Sequence, residues 1–425
     1  MRRGRLAVLA VAALALAGPA AAQAARAGSL DRSFGKRGIA ITSFKPGAGV
    51  EAATAITPLR HGRVLTAGDE GGFGVGLARY LRNGQLDTSW GSGGKVIEEV
   101  PSSYSFATGM AIAGGRIAIA GGVDQGGDFN TLVEAFHAGG ARDLGFGNDP
   151  PNPIGDGISI YGLGQDEFAN AVAIDGQGRI LAAGLTREIM APYHSDFACW
   201  RLKPDGSLDT SFNGSGSIVV PAGRSTQATS VIALPGGKSL FGVVAGHRLE
   251  VVRLTASGVP DGGFGTGSVA TIPHVSSGYY SVLLARRRDG RILVAGTYGR
   301  GFAFARLRAG GALDRSFSGD GIARVPLPSD LSASVTGLAL GPRGRVLAVA
   351  VVRRSGGLAH VIVVRLKADG RRDRSFGHRG LASVSRKGPS LSPYAIAVER
   401  DGDVLVGGET YRGKSDDRFL LRLHG

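Results

Sequence analysis

The sequence predicts an all-β fold, a seven-bladed β-propeller with four antiparallel strands per blade, in which the N-terminal strand completes the C-terminal blade. Three observations lead to this prediction. The chain has 425 residues, of which 71 are glycine and 43% are hydrophobic, a composition that favours short strands and turns over long helices. One motif returns seven times along the chain. The two ends of the chain carry complementary fragments of the repeated unit.

The repeated motif is Leu-Asp-x-Ser-Phe-Gly, and its first copy runs from Leu30 to Gly35. Seven copies follow one another at spacings of 52 to 66 residues, the longest of which contains an insertion around residues 148–156. A repeat of this length indicates one supersecondary unit per copy. The aspartates that mark the copies are Asp31, Asp87, Asp143, Asp209, Asp261, Asp314 and Asp373.

Four short apolar runs recur between the motifs, each bounded by Gly, Asp or Pro as strands are. Examples from successive positions in the unit are 171–174 (Ala-Val-Ala-Ile), 179–184 (Arg-Ile-Leu-Ala-Ala-Gly), 304–307 (Phe-Ala-Arg-Leu) and 216–220 (Gly-Ser-Ile-Val-Val). Four antiparallel strands per repeat are typical of a propeller blade. An open β-solenoid is the alternative architecture, but it would carry atypical caps at its ends.

The ends of the chain favour a closed ring over a solenoid. Residues 28–41 supply the motif and a fourth strand, whereas residues 419–425 end just after a third strand. Together they make one complete unit, as closure by a shared blade requires.

These residues resemble the delta-60 repeat, a bacterial β-propeller repeat, and the copy most similar to it is Pro204 to Phe212. The resemblance covers residues 28–425. The third and fifth copies lack the Ser, and Arg372 replaces the Leu of the seventh. The resemblance implies the propeller fold but no activity, because the family is defined by its repeat.

The N-terminus predicts export. Basic residues 2–5 precede an unbroken apolar run, Leu6 to Ala17, and small residues follow Gly18-Pro19. This is the pattern of a secretory signal peptide, which we place at residues 1–24. The run is too short for a membrane span, which needs about 20 residues. We therefore expect residues 25–425 to be a secreted, extracytoplasmic propeller and a monomer, with no transmembrane span.

The charge and the single cysteine exclude some classes of protein. The formal net charge is +15, a value that is common among proteins that bind nucleic acid. However, the basic residues recur once per blade and do not cluster with aromatic residues, so we expect no nucleic-acid partner. Cys199 lies in a strand-like run, which indicates a buried thiol and rules out an internal disulfide.

The residues that recur in every copy of the motif are predicted to stabilise the fold and not to form an active site. One Asp per blade fits a turn in which the carboxylate accepts backbone N–H groups better than it fits acid–base chemistry or a metal site. The aromatic residue of each motif is expected to fill the gap between blades. An Arg eight residues before five of the seven aspartates, and another at the equivalent place in the shared blade, are expected to pair with the turn, at about 0–1 kcal/mol if exposed. These arginines are Arg79, Arg201, Arg253, Arg306, Arg365 and, in the shared blade, Arg422, with Ala135 as the exception.

The variable loops between the second and third strands, and between the fourth strand and the next blade, are the expected location of a binding surface. The longest of these loops runs from Arg187 to His194. The predicted ligand contacts are Arg187, Tyr193, His194, Tyr298 and Arg300. Other loops of this kind contain Asp69-Glu70, Asp124 to Asp128, and Gln165-Asp166-Glu167.

No catalytic residue, cofactor site or metal site is predicted. The eight histidines are scattered, and neither a zinc motif nor a nucleophile elbow is present. The Gly71–Gly76 run lacks the βαβ context of a dinucleotide site, and 149–156 does not match a Ca²⁺ loop, so Ca²⁺ binding stays open. Two functions follow as hypotheses. The first is a module that binds a protein, a glycan or a cell-wall polymer, and the alternative is a propeller enzyme (a sugar dehydrogenase, lyase or hydrolase).

Overall fold

The computed structural model describes residues 25–44, 50–71, 74–100, 104–147, 155–188, 194–221, 225–276, 281–354, 360–385, 390–411 and 416–425. These residues form β-strands joined by turns and three short 3-10 helices, Arg60–Gly62, Pro235–Gly237 and Pro342–Gly344. Within these ranges, no helix has the length and apolarity that crossing a membrane requires. The predicted signal peptide, residues 1–24, lies outside the described residues.

Blades 1 to 4 each contain four strands in chain order, here called A to D. Blade 1 contains β2 (Ala55–Pro58), β3 (Val64–Asp69), β4 (Gly74–Tyr80) and β5 (Lys95–Glu99). Blade 2 contains β6 (Ser105–Ala113), β7 (Arg116–Asp124), β8 (Phe129–His137) and β9 (Ile158–Tyr161). Blade 3 contains β10 (Asp166–Ile174), β11 (Ile180–Arg187), β12 (Ser195–Leu202) and β13 (Ser217–Val220). Blade 4 contains β14 (Thr226–Ala233), β15 (Ser239–Ala245), β16 (Arg248–Leu254) and β17 (Val269–Ser276).

The remaining three blades continue the pattern. Blade 5 contains β18 (Leu283–Arg286), β19 (Ile292–Tyr298), β20 (Gly301–Leu307) and β21 (Ile322–Val325). Blade 6 contains β22 (Leu331–Leu340), β23 (Val346–Arg354), β24 (His360–Leu366) and β25 (Leu381–Val384). Blade 7 takes its A to C strands from β26 (Ser390–Val398), β27 (Val404–Tyr411) and β28 (Asp416–Leu423), and its D strand from β1 (Ile39–Thr42).

The predicted ring closure is confirmed. Strand β1 pairs antiparallel with β28, with Ile39 opposite Leu421 and Thr42 opposite Arg418. The backbone N–H of Gly28 also donates to the carbonyl of His424 at 2.7 Å. Around the channel each A strand contacts the next, and β26 of blade 7 contacts β2 of blade 1. The chain is therefore an all-β, seven-bladed propeller of four antiparallel strands per blade.

Blades 4 and 5 are not fully separate sheets, because one residue pair joins them. A single pair, Ser276 opposite Thr297, links β17 to β19, so the two blades form one eight-stranded sheet. The other five blades are four-stranded sheets in the order A-B-C-D.

The core of the propeller lies between blades. Each seam has its own apolar cluster built from two neighbours, such as the cluster that joins Phe197 of blade 3 to Phe241 of blade 4. Cys199 belongs to this cluster, is fully buried and forms no disulfide bond, and burial raises the pKa of its thiol, as expected for an inert cysteine. A blade alone would leave these faces in water, so the ring is stabilised as a unit.

The motif aspartates cap the turns between the C and D strands, as predicted. In blade 3 the backbone N–H of Ser211 donates to Oδ1 of Asp209 at 3.1 Å, and the Ser211 hydroxyl donates to the same oxygen at 2.7 Å. The same backbone bond is made by Asp31, Asp87, Asp143, Asp261, Asp314 and Asp373. The aromatic residue that follows is buried in the seam in every blade: Phe34, Trp90, Phe146, Phe212, Phe264, Phe317 and Phe376.

The predicted Arg–Asp pairs are also confirmed. Arg306 illustrates the arrangement: Nε donates to Oδ2 of Asp314 at 2.8 Å, and the guanidinium carbon lies 4.8 Å from the centre of the Phe317 ring. Its Nη1 donates at 2.5 Å to the carbonyl of Ala368 in the next blade. We call this group of Asp, cation and aromatic ring the seam unit. Equivalent Arg–Asp pairs form at Arg79, Arg201, Arg253, Arg365 and Arg422.

Because the seam units are buried, breaking one is expected to lower the free energy of unfolding by more than the sequence analysis predicted. The Arg306 side chain is 7% exposed and that of Asp314 is 4% exposed. Burial acts to raise the pKa of Asp314, but hydrogen bonds from Ser316 and the nearby guanidinium outweigh it and hold that pKa at about 2. The contribution of 0–1 kcal/mol expected for exposed pairs therefore does not apply, because removing one partner of a buried pair strands the other charge.

Replacing Arg306 by Ala is expected to lower the free energy of unfolding by roughly 2–4 kcal/mol. The loss should be near the lower value, because Arg291 still contacts Asp314 at 2.8 Å and partly neutralises it. Arg371→Ala is the matched control, since its side chain is 84% exposed and 3.9 Å from Asp369. Urea unfolding followed by circular dichroism measures both. Equal losses in the two variants would contradict the assignment of Arg306 to a buried pair.

Blade 2 has no arginine on its C strand to pair with the motif aspartate, and a residue of its B strand takes that role. Ala135 lies where the other blades have Arg, and Arg116 on β7 binds Asp143 instead, at 2.6 Å. Its guanidinium carbon lies 5.7 Å from the centre of the Phe146 ring, so the seam unit is complete. Next to Ala135, Glu134 is 1% exposed, and within the described residues neither carboxyl oxygen has a hydrogen-bond partner. Burial, opposed by Arg142 and reinforced by Glu98 and Asp156, raises the pKa of Glu134 to about 8.

Glu134→Gln is expected to become progressively more stable than the wild type between pH 5 and pH 9. A carboxyl whose folded pKa is raised stabilises the protein below its unfolded pKa, near 4.5, and loses that contribution as the pH rises through the folded value. The amide does not ionise, and the difference at pH 9 is on the order of 3 kcal/mol. Thermal unfolding across this pH range measures it. Glu188→Gln, at an exposed position, is measured beside it for comparison. A flat profile for Glu134→Gln would refute the buried, neutral carboxyl.

Candidate functional site

The seam units occupy one face of the disc and leave the other free. Antiparallel order places the turns between A and B and between C and D strands on one face, which we call the motif face. The connections between B and C strands and from each D strand to the next blade lie on the opposite face, the variable face. A binding site is expected where side chains of the variable face differ from blade to blade.

Two of the predicted contacts, Arg187 and His194, lie at the base of the B–C hairpin of blade 3. The backbone N–H of Glu188 donates to the carbonyl of His194 at 3.1 Å, which brings the two ends together. Arg187 donates from Nη2 to Oδ2 of Asp166 at 2.6 Å. His194 is exposed, whereas the third predicted contact on this hairpin, Tyr193, lies outside the described residues.

The other two predicted contacts, Tyr298 and Arg300, lie on the B–C hairpin of blade 5. Tyr298 is 43% exposed, and the guanidinium carbon of Arg324 lies 5.4 Å from the centre of its ring. Arg300 donates to the carbonyl of Ser329. Blade 4 lies between this hairpin and that of blade 3, so the structure does not bring the two pairs together.

A cluster of aromatic side chains lies at the variable-face end of blades 2 and 3. We call Tyr104, Phe106, Phe129 and Phe168 the aromatic patch. Phe106 is at its centre, with ring centres 6.0 Å from Tyr104, 5.7 Å from Phe129 and 5.6 Å from Phe168. Tyr104 is 42% exposed and the three Phe rings are partly exposed. Unlike the buried seam aromatics, these rings present apolar faces to solvent, which favours a contact surface.

Backbone geometry holds the patch in place. Gly122 lies opposite Phe106 on the neighbouring strand, and a Cβ there would come within 2.8 Å of the Phe106 ring and 3.0 Å of Phe168 Cβ. The absence of a side chain at this position lets the two rings meet. The backbone N–H of Phe129 donates to Oδ1 of Asp166 at 3.0 Å. Asp166 therefore links Phe129 to Arg187, the one predicted contact that the structure places at the edge of the patch.

Asp69, at the end of β3 in blade 1, adds a titratable group beside the patch. Burial raises its pKa to about 7, and Arg418 opposes the shift. The carboxylate accepts a hydrogen bond from the backbone N–H of Ala107. The pKa of Tyr104 is raised by burial and by the charge of Asp69. The patch thus combines aromatic faces with a carboxyl that changes protonation near neutral pH.

A second carboxyl interacts with Asp69 from the seam between blades 7 and 1. Glu409 accepts a hydrogen bond from the hydroxyl of Tyr394 at 2.7 Å, and burial raises its pKa. Arg418, fully buried beside Phe44, donates from Nη2 to the carbonyl of Asp69 at 3.3 Å. Burial lowers the pKa of Arg418 to about 10. Because the charge of Glu409 also acts to raise the pKa of Asp69, the two carboxyls form a candidate acid–base group.

The sequence predictions missed the aromatic patch, although a signal was present. Phe106 and Phe168 occupy the same place in their A strands, one residue before the register shift. The corresponding residues in blades 4, 6 and 7 are Gln227, Ser334 and Ser392. Alignment of the repeats by strand would have revealed two adjacent blades that carry Phe where the others carry small or polar side chains.

Grooves on the outside of the ring are a different feature. One of them, of about 780 Å³, lies between β1 and the C–D turn of blade 1 and includes Lys36, Tyr80 and Lys95. Similar grooves of about 470 and 530 Å³ lie at the seams between blades 5 and 6 and between blades 4 and 5. Because they recur at successive seams and are lined by the repeated turns, they follow from the ring packing and do not distinguish a site.

The fold and its repeated seams define the chain as a β-propeller repeat protein. Residues 178–212 and 287–317 match a family described as the domain of unknown function DUF5122 β-propeller. Both stretches run from an A–B turn to the aromatic residue of a motif, so they cover the scaffold and not the aromatic patch. No curated protein sequence matches this chain.

Several solved propellers are similar in structure at low sequence identity. A protein of unknown function from Dyadobacter fermentans is 11% identical with a TM-score of 0.50, over 91% of this chain and 98% of that one. The Cps50 (Swd1) β-propeller domain from Myceliophteria thermophila is 12% identical with a TM-score of 0.46, over 90% and 99%. The Trypanosoma rangeli sialidase is 10% identical with a TM-score of 0.45, over 94% and 59%. At these identities the likeness concerns the fold alone.

Proposed function

We propose that this protein is an extracytoplasmic binding module of delta-60-type repeats whose variable face, at blades 1 to 3, binds a glycan or a glycan-containing cell-wall polymer. The single observation that carries the proposal is the partly exposed aromatic patch beside Asp69. Sugar rings present C–H groups that stack on aromatic faces, and their hydroxyls donate to carboxylates. Residues 1–24 direct the export that such a function requires.

The neighbouring polar groups suit a carbohydrate. Asp69 lies on one side of the patch and Asp166 with Arg187 on the other, so acceptors and a donor flank the rings. A small number of polar groups around an apolar surface is the usual composition of a small-ligand site. Among the described residues, the charged groups that flank the patch are two carboxyls and one guanidinium, which do not provide the positive charge of a nucleic-acid site.

The scaffold supports the same division of roles. The motif face is occupied by seven seam units whose cations and carboxylates already bind each other, and five of these cations also donate to a carbonyl of the adjacent blade. The variable face carries the residues that differ between blades. A rigid ring with a local, blade-specific patch is suited to holding a ligand without rearrangement, which limits the entropy lost on binding.

Tyr104→Ala and Phe129→Ala are expected to weaken glycan binding by about tenfold or more, because each removes an aromatic contact face. Tyr298→Ala is a matched control, since Tyr298 is 43% exposed and Tyr104 is 42% exposed, and we expect it to bind normally. A glycan array with the purified protein identifies the ligand, and calorimetry on that ligand compares the variants.

Thermal unfolding verifies that all three variants are folded. If no glycan or wall polymer binds, or if Tyr298→Ala loses binding while Tyr104→Ala retains it, the proposed site is wrong. Specific capture of a protein with no glycan binding would instead assign the module to a protein partner.

The second candidate function, a propeller enzyme acting on extracellular carbohydrate, rests on the pair of Asp69 and Glu409. Burial raises the pKa of Asp69 to about 7, and the charge of Glu409 acts in the same direction. Burial and the charge of Asp416 raise the pKa of Glu409. Separated carboxyl pKa values allow one group to donate and another to accept a proton in a hydrolase or lyase.

If the pair is catalytic, Asp69→Asn is expected to lower turnover at least 100-fold while leaving glycan affinity within a fewfold of the wild type. Release of reducing ends, or of unsaturated sugars absorbing near 235 nm, from the glycan identified on the array measures this. Asp128→Asn, in the exposed B–C turn of blade 2, is the control. Absence of turnover in the wild type leaves binding as the function of the site.

A further inference from the structure

The closing blade departs from the other six on the motif face. In blades 1 to 6 a basic residue immediately before the B strand or at its start contacts the motif aspartate. It is additional to the C-strand arginine except in blade 2, where Arg116 takes the place of that arginine. These contacts are Arg63–Asp87, Arg116–Asp143, Arg179–Asp209, Lys238–Asp261, Arg291–Asp314 and Arg345–Asp373, at 2.6 to 3.4 Å. In blade 7 the corresponding residue, immediately before Val404, is Asp403. A carboxylate therefore replaces a cation at one of seven equivalent places.

The replacement gathers acidic side chains around the ends of the chain. We call Asp31, Glu399, Asp401, Asp403 and His424 the closure cluster. Ligand atoms of Asp31, Asp403 and His424 lie within 4.8 Å of one another, and so do those of Glu399, Asp401 and Asp403. Asp403 belongs to both groups and accepts a hydrogen bond from the backbone N–H of Gly425 at 2.9 Å. The cluster thus joins the N-terminal segment to the last two residues.

Glu399 is the second observation that points to a ligand. Its side chain is only 8% exposed, and within the described residues Oε2 has no hydrogen-bond partner. In blade 3 the corresponding carboxylate, Asp175, accepts a hydrogen bond from Arg179 at 2.7 Å. Asp403 stands where that arginine would be, so Glu399 has lost its cation. A buried carboxylate oxygen without a donor is costly unless a cation binds it.

The local arginines do not replace the missing cation. Arg422 is committed to Asp31, with Nη2 and Oδ2 2.6 Å apart, and its Nη1 donates to the carbonyl of Arg82 at 2.7 Å. Its atoms are 3.7 Å from Glu399 and 3.9 Å from Asp403, too far for hydrogen bonds. Arg82 is exposed and 3.8 Å from Asp401. Four carboxylates therefore share one buried guanidinium and one peripheral one.

We propose that the closure cluster binds a divalent metal ion that takes the place of the basic side chain found in the other six blades. The donor set of carboxylate oxygens with one imidazole suits Zn²⁺ or Mn²⁺. Ca²⁺ fits less well, because it prefers six to eight oxygen ligands. Since Asp31 and His424 come from opposite ends of the chain, the ion cross-links the closure of the ring.

The experiment is a thermal unfolding titration of tag-free, EDTA-treated protein with ZnCl2, and with MnCl2 and CaCl2 in parallel. Binding to the folded state is expected to raise Tm by about 2–4 °C at a Zn²⁺ concentration 100 times the Kd. Isothermal calorimetry then tests for one ion per chain. If none of the three ions changes Tm or binds by calorimetry, the proposal is wrong.

Asp403→Arg is the decisive variant, because it restores the residue type of the other blades and is therefore expected to fold. It should match or exceed the metal-free wild type in Tm and lose the Zn²⁺ response. Asp128→Arg carries the same charge change in the exposed B–C turn of blade 2 and should retain the full response. An undiminished Zn²⁺ effect in Asp403→Arg would overturn the proposal.

His424→Gln tests the imidazole ligand. Loss of at least tenfold in Zn²⁺ affinity, with Ca²⁺ binding unchanged, supports the mixed donor set. Unchanged Zn²⁺ affinity would exclude His424 as a ligand. Because the closure cluster lies on the motif face, Asp403→Arg and His424→Gln leave the aromatic patch unaltered, and glycan binding should be the same in both as in the wild type.

Discussion

A buried aspartate in each blade, neutralised by one or two cations and covered by an aromatic ring, is the interaction on which the ring depends. Its carboxylate caps the turn within its own blade. In five blades the arginine that it binds also donates to a carbonyl of the next blade, as Arg201 donates to the carbonyl of Ala256 at 2.6 Å. One charged group thus fixes both the local turn and the relation between neighbours. Where the arginine is absent, at Ala135, Arg116 restores the same contacts from the adjacent strand. The persistence of the geometry despite this exchange indicates that the charge arrangement is the constraint, and the residue that supplies it is secondary.

The repeat made the fold accessible from sequence. Spacing of the motifs gave the number of blades, Val- and Ile-rich runs gave the strands, and the incomplete units at the two ends gave the closure between β1 and β28. Even the Arg–Asp pairs were predictable, because a fixed separation of eight residues places Arg79 and Asp87 across one C–D turn. Burial was not predictable in this way. The neighbouring blade covers each pair, and sequence spacing within one blade carries no information about that cover.

The candidate site was harder to predict, for a physical reason. The aromatic patch is assembled from residues 104–106, 129 and 168, which come from two blades and meet only when the ring is formed. Arg187 was identified through its long loop and lies at the edge of the patch, whereas Tyr298 and Arg300 lie two blades away. Asp69 appeared in the sequence only as part of a variable loop. Its altered protonation arises from burial beside Arg418, a residue 349 positions later in the chain.

The shared seventh blade has a consequence for biogenesis. Strand β1 precedes every other strand of the ring in the chain, whereas its partner β28 follows all of them. During synthesis β1 therefore stays without its partner until all the other strands of the ring have been made. Contacts that link such distant positions slow folding, because the entropy of closing a very long loop is lost before they form. Once formed, the same contacts mean that neither terminus can fray without opening the ring, so resistance to proteases is expected to reside in the rate of opening more than in local stability.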